Sequence, residues 1–305
     1  MSHGTFPVTI NVGVLAPKSS WHFRDLKRAS ESFGDLKVCS VDFSTLSAAV
    51  GLGSCERFHD SSQAIDKLDA LVVRTMPFGS LQQIIFRMDV LHRIRDAGVQ
   101  IFNPPRSVEI AIDKYLSLSL MAANAIPIPP FAVVQTVSQA VATFEKLGGD
   151  VVLKPIFGSM GKNVHRLTDL KTARDRFEEF VANGEVLYLQ KFIDHGGSDV
   201  RVLIIGSETF AMRRVNEAGG WLTNVAQGSK AEPYTPTQSE IDLARSAAQT
   251  NHCEIAGVDL VYPCDAVEPL VLEVNASPGW QAIQNVCERD VAKSVLQFIA
   301  ATMAG

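Results

Sequence analysis

The segment from residue 269 to residue 280 reads PLVLEVNASPGW, and it constrains the fold of this chain more than any other stretch. Its apolar residues predict a β-strand that ends at Pro278. The strand carries Glu273 and Asn275 two positions apart, so both side chains are expected on the same face. A carboxylate beside an amide carbonyl is a pair of hard oxygen ligands, which suits Mg²⁺.

A second apolar run, residues 256–262, predicts the partner of this strand. The turn-rich residues between the two runs predict a hairpin centred on Ala266, which places Asp259 directly opposite Glu273. Opposed carboxylates repel each other and lower stability, and a bound cation would remove that cost. We therefore predict that Asp259, Glu273 and Asn275 hold a metal ion. The alternative for each acid taken alone is a solvent-facing strand residue.

Bulk properties exclude several classes of partner. The chain has 305 residues, enough for two or three domains, and a net charge of −5 with no basic block, so we expect no nucleic-acid partner. No apolar run approaches the roughly 20 residues that span a bilayer, so we expect no membrane association. The five cysteines are scattered and form no C-x-x-C pair, which predicts free thiols and a cytoplasmic location.

The first hundred residues alternate short apolar strands with helices. This pattern predicts a small parallel β-sheet with helices on its faces, an arrangement whose ligands gather at the carboxyl ends of the strands. Arg74 and Thr75 follow the strand 70–73, so they either hold substrate at such an end or lie in a surface loop. Residues 103–105, Asn-Pro-Pro, predict a linker before a helix over about residues 107–124, capped by its first residue, a serine.

A glycine-rich loop follows the apolar strand 151–155. It contains Gly158 and Gly161, but a Walker A loop needs a glycine where this chain has Ile156, so that motif is absent. Two glycines still let backbone amides approach an anion, and Lys154 at the end of the strand is a suitable partner for phosphate. The alternative is an ordinary hairpin turn with a surface lysine.

Isolated charges within apolar strands support the interpretation of this loop as a phosphate-binding loop. Such charges cost free energy unless they have partners. Lysines and arginines from separate segments, together with the predicted metal ligands, fit a nucleotide clamped between two domains. The residues that carry this interpretation are Lys114, Lys154, Asp199, Arg201, Arg213, Arg214 and Asn224.

From about residue 103 to its end, the chain resembles the ATP-grasp superfamily and, within it, the RimK-type α-L-glutamate ligases. That branch includes tetrahydromethanopterin and ribosomal-protein glutamate ligases. The motif LEVNASPG at 272–279 is similar to the closing motif of the branch, and AGVD at 256–259 is similar to its partner strand. The motif IDK at 112–114 resembles the entry to the grasp fold. The motif VLKP at 152–155, with the glycine loop, resembles a mobile hairpin that covers phosphates.

The resemblance implies an α/β fold in which an N-terminal parallel domain precedes a two-lobed ATP-grasp fold, with the α+β character of that grasp. Three domains are implied. A pre-ATP-grasp domain covers residues 1–105, a central lobe covers residues 106–188, and a C-terminal lobe with the metal site covers residues 189–305.

The resemblance also implies a role for each site residue. Lys154 and Arg214 are the predicted catalytic residues, with Arg213 the alternative to Arg214. The predicted metal is Mg²⁺, as two ions on Asp259, Glu273 and Asn275, with Mn²⁺ as the alternative. ATP is the predicted cofactor, and its predicted contacts are Lys114, Lys154, Gln190, Lys191, Phe192, Ile193, Asp199, Thr223 and Asn224.

The implied activity is that of an ATP-dependent carboxylate–amine ligase. ATP phosphorylates a carboxylate, and an amine attacks the resulting acyl phosphate to form an amide. The implied partners are L-glutamate and a small-molecule acceptor with a carboxylate, such as a pterin, and relatives in this branch often form homo-oligomers. Two alternatives stay open: a ligase that uses a different amine, and a nucleotide-binding regulatory protein without ligase activity.

Two departures from the ribosomal-protein ligase lie where acceptor or phosphate would be recognised. Leu222 stands where that ligase has an arginine, and residues 227–229, Gln-Gly-Ser, replace a basic Arg-Gly-Gly. The resemblance therefore points away from a ribosomal-protein acceptor.

Overall fold

The computed structural model describes residues 9–52, 57–158, 161–225 and 228–304. Part of the glycine loop, residues 159–160, and the substituted position Gln227 lie outside these ranges. The chain divides into two compact units. The first unit consists of residues 1–108, 205–208 and 277–305, and the second of residues 109–204 and 209–276.

The secondary structure alternates between helices and short strands along most of the chain. The described strands are β1 (Ile10–Leu15), β2 (Leu36–Val41), β3 (Ser47–Ala49), β4 (Arg57–His59), β5 (Ala70–Val73), β6 (Gln100–Phe102), β7 (Phe131–Val134), β8 (Val151–Lys154), β9 (His165–Leu167), β10 (Leu187–Lys191), β11 (Ser198–Ile205), β12 (Glu208–Val215), β13 (Lys230–Pro233), β14 (Ile255–Val261) and β15 (Leu270–Asn275). The described α-helices are α1 (Trp21–Ser30), α2 (Leu81–Asp96), α3 (Pro105–Ile112), α4 (Lys114–Ala123), α5 (Val137–Lys146), α6 (Leu170–Ala182), α7 (Gln238–Thr250), α8 (Gln281–Cys287) and α9 (Val291–Ala304).

The first unit is built on a four-stranded sheet in the order β2-β1-β5-β6. All three strand pairs are parallel, which confirms the sheet predicted from the alternation of strands and helices. The four residues of β5 are all buried, as expected of a strand in a parallel sheet that is covered on both faces. Helix α1 packs against α9, so the C-terminal helix of the chain belongs to this unit.

The second unit holds two larger sheets. One has the order β7-β10-β8-β9, with antiparallel pairs, and its core includes Phe144 of α5 and Phe177 of α6. The other has the order β13-β12-β11-β14-β15. Every residue of β14 is buried, and β14 pairs antiparallel with β15. In that pair Asp259 lies opposite Glu273, so the predicted register of the hairpin is confirmed.

The helix predicted over residues 107–124 is wrong, because two helices occupy this segment. Pro105 lies in the first turn of α3, where a missing N–H leaves no hydrogen bond unmade, so the predicted linker already contains the start of a helix. The chain then breaks at Asp113, whose carboxylate accepts a hydrogen bond from the Leu116 N–H at 3.0 Å and caps α4. This cap places Lys114 at the first position of α4.

Helices in the described part of the chain are each too short or too polar to cross a lipid bilayer.

Candidate active site

The second unit contains a cavity that opens to solvent and is lined from both of its larger sheets. Nearly all of the predicted site residues line it. They are Lys114, Lys154, Gln190, Lys191, Phe192, Ile193, Asp199, Arg214, Thr223, Asn224, Asp259 and Glu273. Asn275 is the exception, since it lines a smaller neighbouring cavity together with Lys114 and Glu273. Of the two alternative arginines, Arg214 lines the larger cavity, whereas Arg213 is exposed and donates to the Ser198 hydroxyl.

A row of alternating charges crosses strands β12, β11 and β14 of the five-stranded sheet. Arg214 of β12 donates from Nε and Nη2 to the two carboxylate oxygens of Asp199 on β11, at 2.6 and 2.5 Å. Its Nη2 also lies 2.8 Å from Asp259 Oδ2 on β14. Thr223 donates its hydroxyl to Asp199 at 2.6 Å. Because all three charged residues are only 2% exposed, each charge depends on its neighbours in place of water.

Arg201 continues this row toward the hairpin. Side chains two positions apart on β11 lie on one face, so Arg201 follows Asp199. Its guanidinium donates to both oxygens of Asp259, at 2.6 and 2.7 Å, and lies 3.7 Å from Glu273 Oε1. Burial alone would raise the pKa of Asp259, but Arg201 and Arg214 outweigh it and hold that pKa below its ordinary value. Asp259 is therefore an ionised acceptor at neutral pH.

The hairpin presents oxygen donors that fit a hard metal ion. The Glu273 carboxylate is 34% exposed and lines the cavity, and it accepts a hydrogen bond from Asn275 Nδ2 at 3.0 Å. Two carboxylates and an amide carbonyl are the ligand types that Mg²⁺ takes. Both oxygens of Asp259, however, already accept from arginines, so Glu273 is the carboxylate with free capacity. Across the described ranges no three His, Cys, Asp or Glu side chains are placed to hold a metal by themselves.

Lys154 is oriented by a chain of polar side chains on β10. Its ammonium donates to Gln190 Oε1 at 2.7 Å, and Gln190 Nε2 donates to the Tyr188 hydroxyl at 3.1 Å. Gln190 and Tyr188 are almost fully buried, so this geometry is fixed by packing. Burial, with a smaller contribution from Lys114, lowers the pKa of Lys154 to about 8. An anion bound beside this buried ammonium would offset the free energy that its burial costs.

Lys114 holds the start of the glycine loop. Its ammonium donates to the backbone carbonyls of Ile156 and Gly158, at 3.3 and 3.1 Å. Burial lowers the pKa of Lys114, and the Glu273 carboxylate acts in the opposite direction. The two predicted phosphate-binding lysines are therefore both half-buried beside the same cavity.

The predicted hinge, residues 190–193, forms an aromatic part of the cavity wall. The backbone N–H groups of Lys191 and Phe192 donate to the carbonyls of Pro130 and Asp150, at 2.8 and 3.0 Å. The Phe192 ring meets the Trp221 ring edge to face, with 5.9 Å between centroids. His195 also lines this wall.

Sequence reasoning missed three features of this site. Trp221 and His195 were not predicted to line it, because an aromatic residue in a loop carries no periodic signal that would place it. Arg201 was noted only as a strand charge, and its bridging position depends on the pairing of β11 with β14, which lies far apart in sequence.

The fold and the site together define a class of protein. A solved structure titled ATP-grasp ligase PsnB complexed with minimal precursor, Mg and ADP superposes with a TM-score of 0.72. It is 20% identical, and the match covers 97% of this chain and 98% of that one. The predicted fold class, an α/β protein with an ATP-grasp fold, is confirmed. A RimK-like ATP-grasp domain matches residues 111–299, so the chain is an ATP-grasp ligase, an enzyme that forms C–N bonds.

The chain belongs to the RimK-like ATP-grasp family, whose domain profile matches residues 111–299. The tetrahydromethanopterin:α-L-glutamate ligase of Methanosarcina acetivorans is 26% identical over 323 residues, which cover 95% of this chain and 98% of that protein. A probable α-L-glutamate ligase of Mannheimia succiniciproducens is 32% identical over 239 residues, 78% of each chain. The resemblance stated from the motifs is thus confirmed at the level of the family.

Proposed function

We propose that this protein uses ATP to join L-glutamate to the carboxylate of a small acceptor through an acyl phosphate. One observation carries the proposal. Five cationic side chains line the cavity against three carboxylates, in a chain whose net charge is −5. The cations are Lys114, Lys154, Lys162, Lys191 and Arg214, and the carboxylates are Asp199, Asp259 and Glu273. An excess of cations in a partly buried cavity fits a polyanion such as a triphosphate.

The proposed roles follow from these contacts. Lys154, held by Gln190, would donate to a phosphate oxygen, and Lys114 would do so when it leaves the carbonyls of the glycine loop. Arg214 would stabilise the charge that develops on the transferring phosphoryl group, since its buried position fixes its direction. Such transfer needs in-line positioning and electrostatic stabilisation more than covalent help from the protein.

Magnesium is the proposed metal. Glu273 and Asn275, with Asp259, would hold it, and it would neutralise charge on the phosphates when bound. Two ions, and Mn²⁺ in place of Mg²⁺, are part of the same proposal. The match to a ligase whose title includes Mg and ADP supports Mg²⁺ and an adenine nucleotide. The aromatic wall of Phe192, Trp221 and His195 offers a surface for the base.

The identity of the acceptor is the most specific part of the proposal. A relative that covers nearly the whole chain is named for tetrahydromethanopterin, and another is named only as an α-L-glutamate ligase. Both names support glutamate as the amine, and the first supports a pterin-type carboxylate as acceptor. We also propose a cytoplasmic location, supported by four free cysteines among the described residues, and a homo-oligomeric state. The domain limits at residues 105 and 188 stay predictions.

Mass spectrometry tests the reaction directly. The purified protein is incubated with ATP, Mg²⁺, L-glutamate and candidate carboxylated acceptors, including a tetrahydropterin carrying a glutamyl chain. We expect the acceptor to gain one or more glutamyl units and ADP to be released only when acceptor is present. Nucleotide binding without carboxylate-dependent ADP release would favour a regulatory protein, and a product with another amine would correct the amine alone.

A further inference from the structure

The first unit contains a buried arginine, Arg74, that has no anionic partner in the described part of the chain. Arg74 directly follows β5, at the carboxyl end of the parallel sheet, and is 7% exposed. Its Nη2 donates to the Pro278 carbonyl at 2.5 Å, and its guanidinium lies 4.2 Å from the centre of the Trp280 ring. No carboxylate among the described residues pairs with it, and its Nε–H has no hydrogen-bond partner there. Of the two sequence interpretations, the exposed surface loop is wrong for Arg74.

Burying an unpaired charge in this position costs free energy. At neutral pH an arginine keeps its proton, so burial is not relieved by neutralisation. Burial lowers the pKa of Arg74 to about 9, which expresses the same unmet need for an anion. Asp25, which contacts Trp280 in this cluster, accepts hydrogen bonds from Trp280 Nε1 and from Arg28, so it is already paired.

His22 supplies a second donor beside the same tryptophan. The His22 ring lies 4.7 Å from the Trp280 ring, and its Nε2 is within 3.3 Å of the Trp280 backbone N–H. If Nε2 accepts this hydrogen bond, then Nδ1 carries the proton and is a donor. Burial and the charge of Arg74 lower the pKa of His22 to about 3, so the ring stays neutral. The cluster therefore offers two donors and a single positive charge.

We propose that Arg74 and His22 bind the carboxylate group of a small ligand at the carboxyl end of the first unit's parallel sheet. A single planar guanidinium matches a planar, singly charged carboxylate in charge and in geometry. Phosphate concentrates up to two charges on the one group that meets the cluster, whereas a ligand carboxylate brings one charge per group. Ligands of open parallel sheets bind at this edge, which agrees with the position of Arg74 after β5. Amino acids carry such a carboxylate, so this site could bind the amine substrate of the proposed ligase. Carboxylate binding at Arg74 does not itself require ligase activity.

The chain has a built-in reporter for the test. It contains three tryptophans, of which Trp280 lies under Arg74 and Trp221 lines the cavity of the second unit. Indole N–H resonances of ¹⁵N-labelled wild-type protein are assigned with Trp→Phe variants and followed during titration with succinate. We expect a saturable shift of the Trp280 resonance and an unchanged Trp221 resonance. The uncharged isostere succinamide and inorganic phosphate are expected to give no saturable shift.

Variants then assign the effect to the arginine. Arg74→Met is expected to weaken succinate binding by about tenfold or more, as for the loss of a charged hydrogen-bond donor. Arg95→Met, at an exposed arginine of the same unit that pairs with Asp96, is expected to leave it unchanged. The proposal is overturned by a wild-type titration without a saturable Trp280 shift, by equal shifts with succinamide or phosphate, or by unchanged affinity in Arg74→Met. Because the wild-type comparison needs neither ATP nor turnover, it stands if the variant misfolds and if the ligase proposal fails.

Discussion

Arg201 bridges the two carboxylates that face each other across the β14–β15 hairpin. Its Nη2 lies 2.7 Å from Asp259 Oδ2 and 3.7 Å from Glu273 Oε1. The opposed pair was expected from the register of the hairpin, and so was the need for a cation between its members. The protein supplies that cation from β11, and Glu273 keeps part of its carboxylate open to the cavity.

Removal of Arg201 should make the hairpin depend on metal. In Arg201→Met, Asp259 keeps only Arg214, so we expect the free energy of unfolding to fall by about 2–4 kcal/mol without divalent cations. Mg²⁺ should restore part of this loss, because a cation would again balance Glu273. Urea denaturation with and without MgCl₂ measures both quantities.

Arg213→Met is the matched control for this variant. Arg213 is exposed and donates a hydrogen bond to the Ser198 hydroxyl, so its loss should change stability by less than about 0.5 kcal/mol. If Arg201→Met unfolds at the same urea concentration with and without Mg²⁺, the proposed metal ligands lose their support.

The buried pair of Asp199 and Arg214 should be far more sensitive than a surface pair. Asp199→Asn leaves a guanidinium that is 2% exposed with one carboxylate in place of two, and we expect a loss of about 3 kcal/mol in chemical denaturation. Glu179→Gln, which breaks an exposed pair with Arg176 on α6, should cost less than about 0.5 kcal/mol. Similar losses in both variants would mean that burial adds nothing to the first pair.

The lowered pKa of Lys154 predicts how stability depends on pH. Burial brings this pKa from an ordinary 10.5 to about 8, so between about pH 8 and pH 10 the folded state binds fewer protons than the unfolded state. Stability that is lost to the buried charge at neutral pH should therefore return as pH rises, by up to about 1.4 kcal/mol per pH unit. Denaturation midpoints of the wild type across this range measure the rise.

Lys154→Met should be more stable than the wild type at pH 7 and should show a smaller rise toward pH 10. Lys146→Met, at an exposed position near the end of α5, should keep the wild-type rise. A wild type whose stability falls steadily from pH 8 to pH 10, in parallel with Lys154→Met, would contradict the lowered pKa.

Catalysis should depend on Lys154 and Glu273 without a comparable effect on folding. Lys154→Ala and Glu273→Ala should each lower ATP turnover by about 10²–10³-fold, as for the loss of one group that stabilises a transition state. Circular dichroism and thermal unfolding should show a native fold in both variants. Lys171→Ala, on the exposed first turn of α6, is the control. Near-normal turnover in either site variant would count against the assigned roles.

Local pattern was sufficient for several elements of the fold. The predicted strand 70–73 matches β5 residue for residue, because it is an apolar run bounded by the charged residues Asp69 and Arg74. Strands β9 and β13 were missed, since β9 has three residues and β13 carries charged side chains and a proline. The helix break at Asp113 was missed because helix propensity alone continues the helix through this residue. In the structure the Asp113 side chain instead accepts a hydrogen bond from the backbone and caps a new helix.

By itself the sequence determined the β14–β15 hairpin, its register and the family, because strand periodicity and motif spacing are properties of neighbouring residues. It also determined which residues carry charge, but not which charges meet. Only the tertiary structure decided that Arg201 bridges Asp259 and Glu273, and that Arg214 lies between Asp199 and Asp259. It also decided that Arg74 is buried with no carboxylate beside it among the residues that the structure describes. These outcomes depend on pairing between strands far apart in the chain, where the free energy of burying a charge is set by whatever the fold brings beside it.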